Sequence, residues 1–205
     1  VTTPRYRNWS AVGFNGGGEG SAPDLGAGST INWVIVKSSS TRNQTAVGVI
    51  DDDGDILLSV YNASNGTFDA WLDVASIGTA NDAFRGFDID VERNTGNFMA
   101  VYEKDTTADR TLYYRTYGGS GWSGESTIAL NSNVAAEAQL FVAMENSPTT
   151  DELMMTSAGT SDDISVVRWN GSNWVNVTTI TLTAAAVDEE RFGFTWEGLS
   201  GDGIM

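Results

Sequence analysis

The sequence repeats itself with a period a little above fifty residues. An aromatic residue opens a short stretch at Phe14, Phe68, Trp122 and Trp174, spaced 54, 54 and 52 residues apart. The last three stretches reach a β-branched residue six positions later, at Val74, Ile128 and Ile180. A second ring stands ahead of each opener: Trp9, Tyr117 and Trp169 by five residues, Tyr61 by seven. Between the two rings lie Asn62-Ala63-Ser64-Asn65-Gly66, Gly118-Gly119-Ser120-Gly121 and Asn170-Gly171-Ser172-Asn173. These are turn residues, because glycine and asparagine tolerate the positive φ of tight hairpins. A parallel register of apolar runs ends in Lys37, Glu92, Glu145 and Glu197, spaced 55, 53 and 52 residues apart. Apolar and polar residues alternate in Ile89-Asp90-Val91-Glu92 and Ile164-Ser165-Val166, which reads as strand. No long segment has helical periodicity, and Ala184-Ala185-Ala186 is too short to argue a helix.

Four short antiparallel strands in each repeated unit predict an all-β chain folded as a β-propeller of four-stranded blades. The phase of the repeat gives a single domain, 1–205. It assigns blades to 30–83, 84–136 and 137–190, the last two strands of a split blade to 1–29, and its first two strands to 191–205. The halves are complementary, so four blades are expected, closed within one chain, closed between chains, or continued by further blades outside this sequence. Closure would bring Trp9 and Phe14 to Phe194 and Trp196. In this reading the rings of Trp71, Tyr117, Trp122, Trp169 and Trp174 are wedges between neighbouring blades.

Composition removes many functions. The 205 residues include no cysteine and no histidine, so disulfides, Cys/His zinc sites, Ser-His-Asp triads and histidine acid–base chemistry are all ruled out. Asp and Glu outnumber Lys and Arg by 27 to 11, a net charge of −16. That charge disfavours nucleic acid and anionic membrane surfaces as partners. No run of about 18 apolar residues is present to span a membrane. Residues 1–7 lack a signal-peptide core, so an exported protein would carry its targeting segment outside this sequence. Six Asn-x-Ser/Thr sequons, at Asn8, Asn43, Asn62, Asn65, Asn170 and Asn176, point to an extracellular or cell-surface, glycosylated chain.

Five constellations bear on function. Asp51, Asp53 and Asp55 alternate in a glycine turn, as oxygen ligands of Ca²⁺ do, although the downstream Glu of an EF-hand loop is missing. No other cofactor is implied. Glu92, Glu145 and Glu197 recur at one repeat position, which favours a structural role over catalysis. Arg85, Arg93 and Arg191 show no spacing that marks an arginine triad. A propeller glycoside hydrolase is therefore the weakest reading, and no enzymatic activity is expected. Trp71, Tyr117, Trp122, Trp169 and Trp174 stand beside Asn/Gly turns and offer flat apolar faces for stacking on surface glycans. Unmatched half-blades offer open strand edges for self-association into a homo-oligomer or filament.

Several motifs point to relatives. Arg5-Tyr6-Arg7-Asn8-Trp9-Ser10, Arg85-Gly86-Phe87-Asp88-Ile89, Tyr113-Tyr114-Arg115-Thr116-Tyr117 and Trp122-Ser123-Gly124-Glu125 resemble poorly characterised repeat proteins of bacterial and archaeal cell surfaces, in which a pilin-like leader precedes propeller repeats. The turn Trp169-Asn170-Gly171-Ser172-Asn173-Trp174 is also similar to that of propeller lectins. The first resemblance implies a surface location and nothing catalytic. Together these readings favour a non-enzymatic surface protein serving assembly or adhesion, with a glycan-binding module as the alternative.

Overall fold

The computed structural model describes residues 3–10, 13–14, 18–26, 29–78, 83–104, 110–161, 163–181, 190 and 192–205. Each described regular element is a β-strand. Strands β1 (Arg5–Tyr6), β2 (Trp9–Ser10), β3 (Gly13–Phe14) and β4 (Gly20–Ser21) form two small pairs, β1 with β4 and β2 with β3. The first sheet holds β5 (Ile31–Ser38), β6 (Gln44–Asp51) and β7 (Asp55–Asn62). Its fourth strand comes in two pieces, β8 (Thr67–Phe68) and β9 (Leu72–Ser76), both paired with β7. The second sheet runs β10 (Phe87–Val91), β11 (Phe98–Tyr102), β12 (Thr111–Tyr117), β13 (Ser126–Ala129), in that order. The third runs β14 (Phe141–Asn146), β15 (Leu153–Ala158), β16 (Asp163–Trp169), β17 (Trp174–Thr181). A last hairpin pairs β18 (Thr195–Trp196) with β19 (Gly203–Ile204). Every pairing is antiparallel, and among the described residues no helix is long and apolar enough to cross a membrane.

Local chemistry closes the hairpins. Between β16 and β17, Asn170 Oδ1 accepts the backbone N–H groups of Ser172 and Asn173 at 3.0 and 2.9 Å, while Gly171 sits at φ 88°. Between β6 and β7, Asp51 Oδ1 accepts the N–H groups of Asp53 and Asp55 at 3.1 and 2.9 Å, and Gly54 takes φ 81°. Each carboxylate or amide here replaces a ladder partner that the reversing chain has lost.

The first strands of the sheets, β5, β10, β14 and β18, lie successively side by side, so the sheets stack face to face. The apolar core is consequently two slabs. One, between the first and second sheets, holds Ile50, Ile56, Leu58, Phe87, Ile89 and Phe98. The other, between the second and third, holds Met99, Val101, Leu112, Val142, Met144 and Met155. Gly48 permits the first approach: a Cβ there would lie 2.6 Å from Phe87 Cε2 and 2.7 Å from Ile89 Cδ1.

The two terminal halves do not close on each other within the chain. Among the described residues no strand pairing joins 3–26 to 192–205. Each half is anchored to a different sheet, with the second sheet between. Tyr6 packs its ring on Tyr61 and Phe68 of the first sheet, and Trp71 donates its indole N–H to the Pro23 carbonyl. At the other end Trp196 donates to the Glu145 carbonyl of β14. Trp9 therefore meets Phe14, and Phe194 meets Trp196, each pair edge to face, without the cross-contacts that closure within the chain would make.

Candidate functional site

The second and third sheets diverge at one end around a cleft of about 670 Å³. Glu92, which follows β10, forms its rear wall and is buried. Its Oε1 accepts the indole N–H of Trp169 at 2.8 Å; its Oε2 accepts Asn97 Nδ2 at 2.8 Å and the Thr95 hydroxyl. Asn97 Oδ1 in turn accepts Arg42 Nη2 at 2.7 Å, which ties this wall to the first sheet. Asp151, from the loop between β14 and β15, accepts the N–H groups of Asn94 and Thr95 through Oδ1.

Tyr114 and Thr116 from β12 and Ser126 from β13 complete the lining. Their side-chain hydroxyls make no hydrogen bond among the described residues, and neither does Asp151 Oδ2. Glu125 closes the rim, accepting Lys104 Nζ at 2.9 Å and the Tyr102 hydroxyl at 3.1 Å. Burial alone would raise the Glu125 pKa. The hydrogen bonds from Lys104 and Tyr102 and the nearby cations outweigh that, and hold it below the ordinary carboxyl range. Burial, first of all, keeps the Tyr102 phenol protonated, above its usual value. The cleft thus combines an organised anionic rear wall, two aromatic rings and unspent hydroxyls.

The five rings expected to bind ligand are dispersed. Trp169 alone of them lines this cleft. Trp174 stands edge to face with Tyr114 and packs against the second core slab. Tyr117 is buried, donates its hydroxyl to Asp69 Oδ2 at 3.0 Å and stacks edge-on with Trp122, which packs against the first slab. Trp71 is held by Pro23. Tyr117, Trp122 and Trp174 thus contribute to the packing of the two core slabs.

The Ca²⁺ expectation for Asp51, Asp53 and Asp55 is also corrected. Asp51 spends one oxygen on capping its own hairpin, and among the described residues no three acidic side chains gather where a metal ion would sit. Of the recurring carboxylates, Glu92 and Glu197 accept local hydrogen bonds, the latter from the N–H groups of Leu199 and Ser200. Arg85 pairs with Asp88 and Glu190, and Arg93 is exposed. Arg191 and the 184–186 alanines lie outside the described residues. Among the sequons, Asn8, Asn43, Asn65, Asn170 and Asn176 are exposed and Asn62 is half-buried. Tyr114, Thr116, Ser126 and Asp151 were not among the expected site residues, although Tyr114 and Thr116 fall in one of the motifs quoted from the sequence. Spaced polar residues on outer strands carry no signature there, and only the stacking of two sheets brings them together.

No family model matches the sequence, and no curated protein matches it. Solved structures do. The chain is similar to SapL1 lectin in complex with α-methyl fucoside, with a TM-score of 0.50 at 16% identity over 88% of this chain and 58% of that one. It is also similar to the Aleuria aurantia lectin, with a TM-score of 0.47 at 14% identity over 86% and 53%, and to BBS1N in complex with ARL6DN, with 0.49 at 10% over 90% and 49%. The Aleuria aurantia lectin is described as a six-bladed β-propeller. The chain spans about half the length of these structures. At such identities the likeness is one of fold alone, carried here by three antiparallel four-stranded sheets, called blades below.

Proposed function

We propose that the chain is a carbohydrate-binding propeller module, non-enzymatic, working outside the cell or at its surface, and that a neutral sugar occupies the cleft between the second and third blades. The observation that carries this reading is the set of unspent hydroxyls on Tyr114, Thr116 and Ser126, which line one cleft with Asp151 and Trp169. A sugar presents hydroxyls that both donate and accept, over an apolar ring face. That is the complement of such a lining. The net charge of −16 argues for a neutral sugar over an acidic one. SapL1 and Aleuria aurantia lectin were seen with fucosides, so methyl α-L-fucoside belongs in the panel. Exposed sequons fit the extracellular setting.

Calorimetric titration with neutral mono- and oligosaccharides tests the reading. At least one is expected to bind. Thr116→Val combined with Ser126→Ala should weaken it at least tenfold with the melting temperature unchanged. Absence of binding across the panel, or binding that this double variant leaves intact, overturns it.

A further inference from the structure

The innermost strands carry one repeating arrangement with a gap at one end. Aligned on Lys37, Glu92, Glu145 and Glu197, Val34 and Val36 of β5 correspond to Ile89 and Val91 of β10, to Val142 and Met144 of β14, and to Phe194, just before β18, and Trp196 of β18. Ile89, Val91, Val142 and Met144 are all buried against the preceding blade, yet Val34 is 53% and Val36 56% exposed. They line an apolar groove of about 840 Å³ whose far side is Tyr6, Trp9, Tyr61 and Phe68.

What fills the corresponding place elsewhere follows from strand register. Asp90 pairs with Met99, and Met99 shares its core slab with Val142 and Met144 of the next blade. Ile35 pairs with Gly48, and a Cβ on Gly48 would strike Ile89 of the next blade. By the same register Thr195 pairs with Ile204. Ile204 thus holds the Met99 position, turned away from the third blade, and it is 74% exposed. The hairpin β18–β19 offers an inner pair of strands with an uncovered apolar side chain, and β1–β4 beside the first blade offers outer strands with an uncovered inner groove.

We propose that these two surfaces are halves of one interface between copies: the β18–β19 hairpin of one copy enters the groove of the next, setting its Ile204 on Val34 and Val36 and completing a composite blade. A heterologous contact of this kind propagates head to tail, closing as a ring or extending as a filament. It covers both apolar faces at once, and it is independent of sugar binding at the cleft.

Sedimentation velocity on the full chain over a concentration series tests this. Growth of oligomers with concentration is expected. Val36→Asp and Ile204→Asp, both at exposed positions, should each give a folded monomer with an unchanged circular dichroism spectrum. An equimolar mixture of the two variants should give a dimer and nothing larger, because only one sound interface can form. Val36→Cys combined with Ile204→Cys should cross-link between chains under oxidation. A wild-type chain that stays monomeric at every concentration, or a double-cysteine variant that cross-links within a monomer, overturns the proposal.

Discussion

Trp169 donates its indole N–H to Glu92 Oε1 across 2.8 Å, although 77 residues separate the two in sequence. The bond joins the third strand of one blade to the residue just after the innermost strand of the blade before it. Both partners are buried and reach solvent only through the cleft. One repeat earlier, Tyr117 makes the equivalent reach to Asp69 at 3.0 Å, but Asp69 is exposed.

Trp169→Phe should therefore cost more than Tyr117→Phe. An unsatisfied buried charged acceptor is worth about 1–3 kcal/mol, to which lost ring area adds; an exposed acceptor recovers water, and its loss costs about 1 kcal/mol or less. Urea unfolding of both variants against wild type checks the order. Equal destabilisation would show that packing, and not the carboxylate contact, dominates at both positions.

The repeat was legible because strand, turn and ring recur together. Asn170-Gly171-Ser172-Asn173 announces its hairpin, and the structure closes it with the Asn170 side chain. The three four-stranded sheets follow from the same reading. The cleft did not, since Thr116 and Ser126 look like any solvent-facing residues of outer strands, and their convergence with Asp151 depends on how two blades stack. Asp51 misled for a related reason: a carboxylate before a glycine turn serves as well for capping N–H groups as for holding a cation. Trp9 pairs with Phe14 and Phe194 with Trp196, each within its own short hairpin, and repeat phase carries no information on what lies beyond those pairs.

Gly48→Ala should destabilise the chain even though alanine is otherwise the better strand residue. The new methyl would lie 2.6 Å from Phe87 Cε2, 2.7 Å from Ile89 Cδ1 and 3.2 Å from Leu58 Cδ2. Phe87 is fully buried and has no space to withdraw into. Overpacking of this kind costs about 1–3 kcal/mol. Gly48→Val should be worse. Thermal unfolding gives the answer, and an unchanged melting temperature in Gly48→Ala would mean the first two blades separate more readily than their packing implies.

Sugar binding at the cleft should persist into mildly acidic solution. Glu125 keeps its charge below the ordinary carboxyl range because Lys104 and Tyr102 hydrogen-bond to it against the effect of burial. The rim remains organised until that carboxylate is protonated. Lys104→Met removes one support, so any loss of affinity on acidification should begin at higher pH in the variant. Binding titrations from pH 7 to 4 on both proteins make the comparison.

Asp90 sets the opposite pH trend for stability. Its carboxyl is buried on the innermost strand of the second blade, and burial pushes its pKa up to about 6 despite Lys37 at 3.3 Å and the Val91 N–H. Asp88 and Glu145 nearby add to the rise. A carboxyl whose folded pKa exceeds its unfolded value of about 4 favours folding when protonated. Its contribution is therefore full below about pH 4, fades as pH rises through 6, and is constant above. A shift of two units corresponds to at most about 3 kcal/mol between those limits. Groups such as Glu125 pull the other way, so the wild-type curve alone does not isolate Asp90. Asp90→Asn does: the difference in melting temperature, variant minus wild type, should climb between pH 4 and 6 and level off above. Lys37 loses its partner in the variant, so the shape of the difference curve, and not its offset, reports on Asp90. A difference that stays flat from pH 4 to 8 would mean that Asp90 ionises as an ordinary carboxyl and that the centre of the blades is wetter than its burial implies.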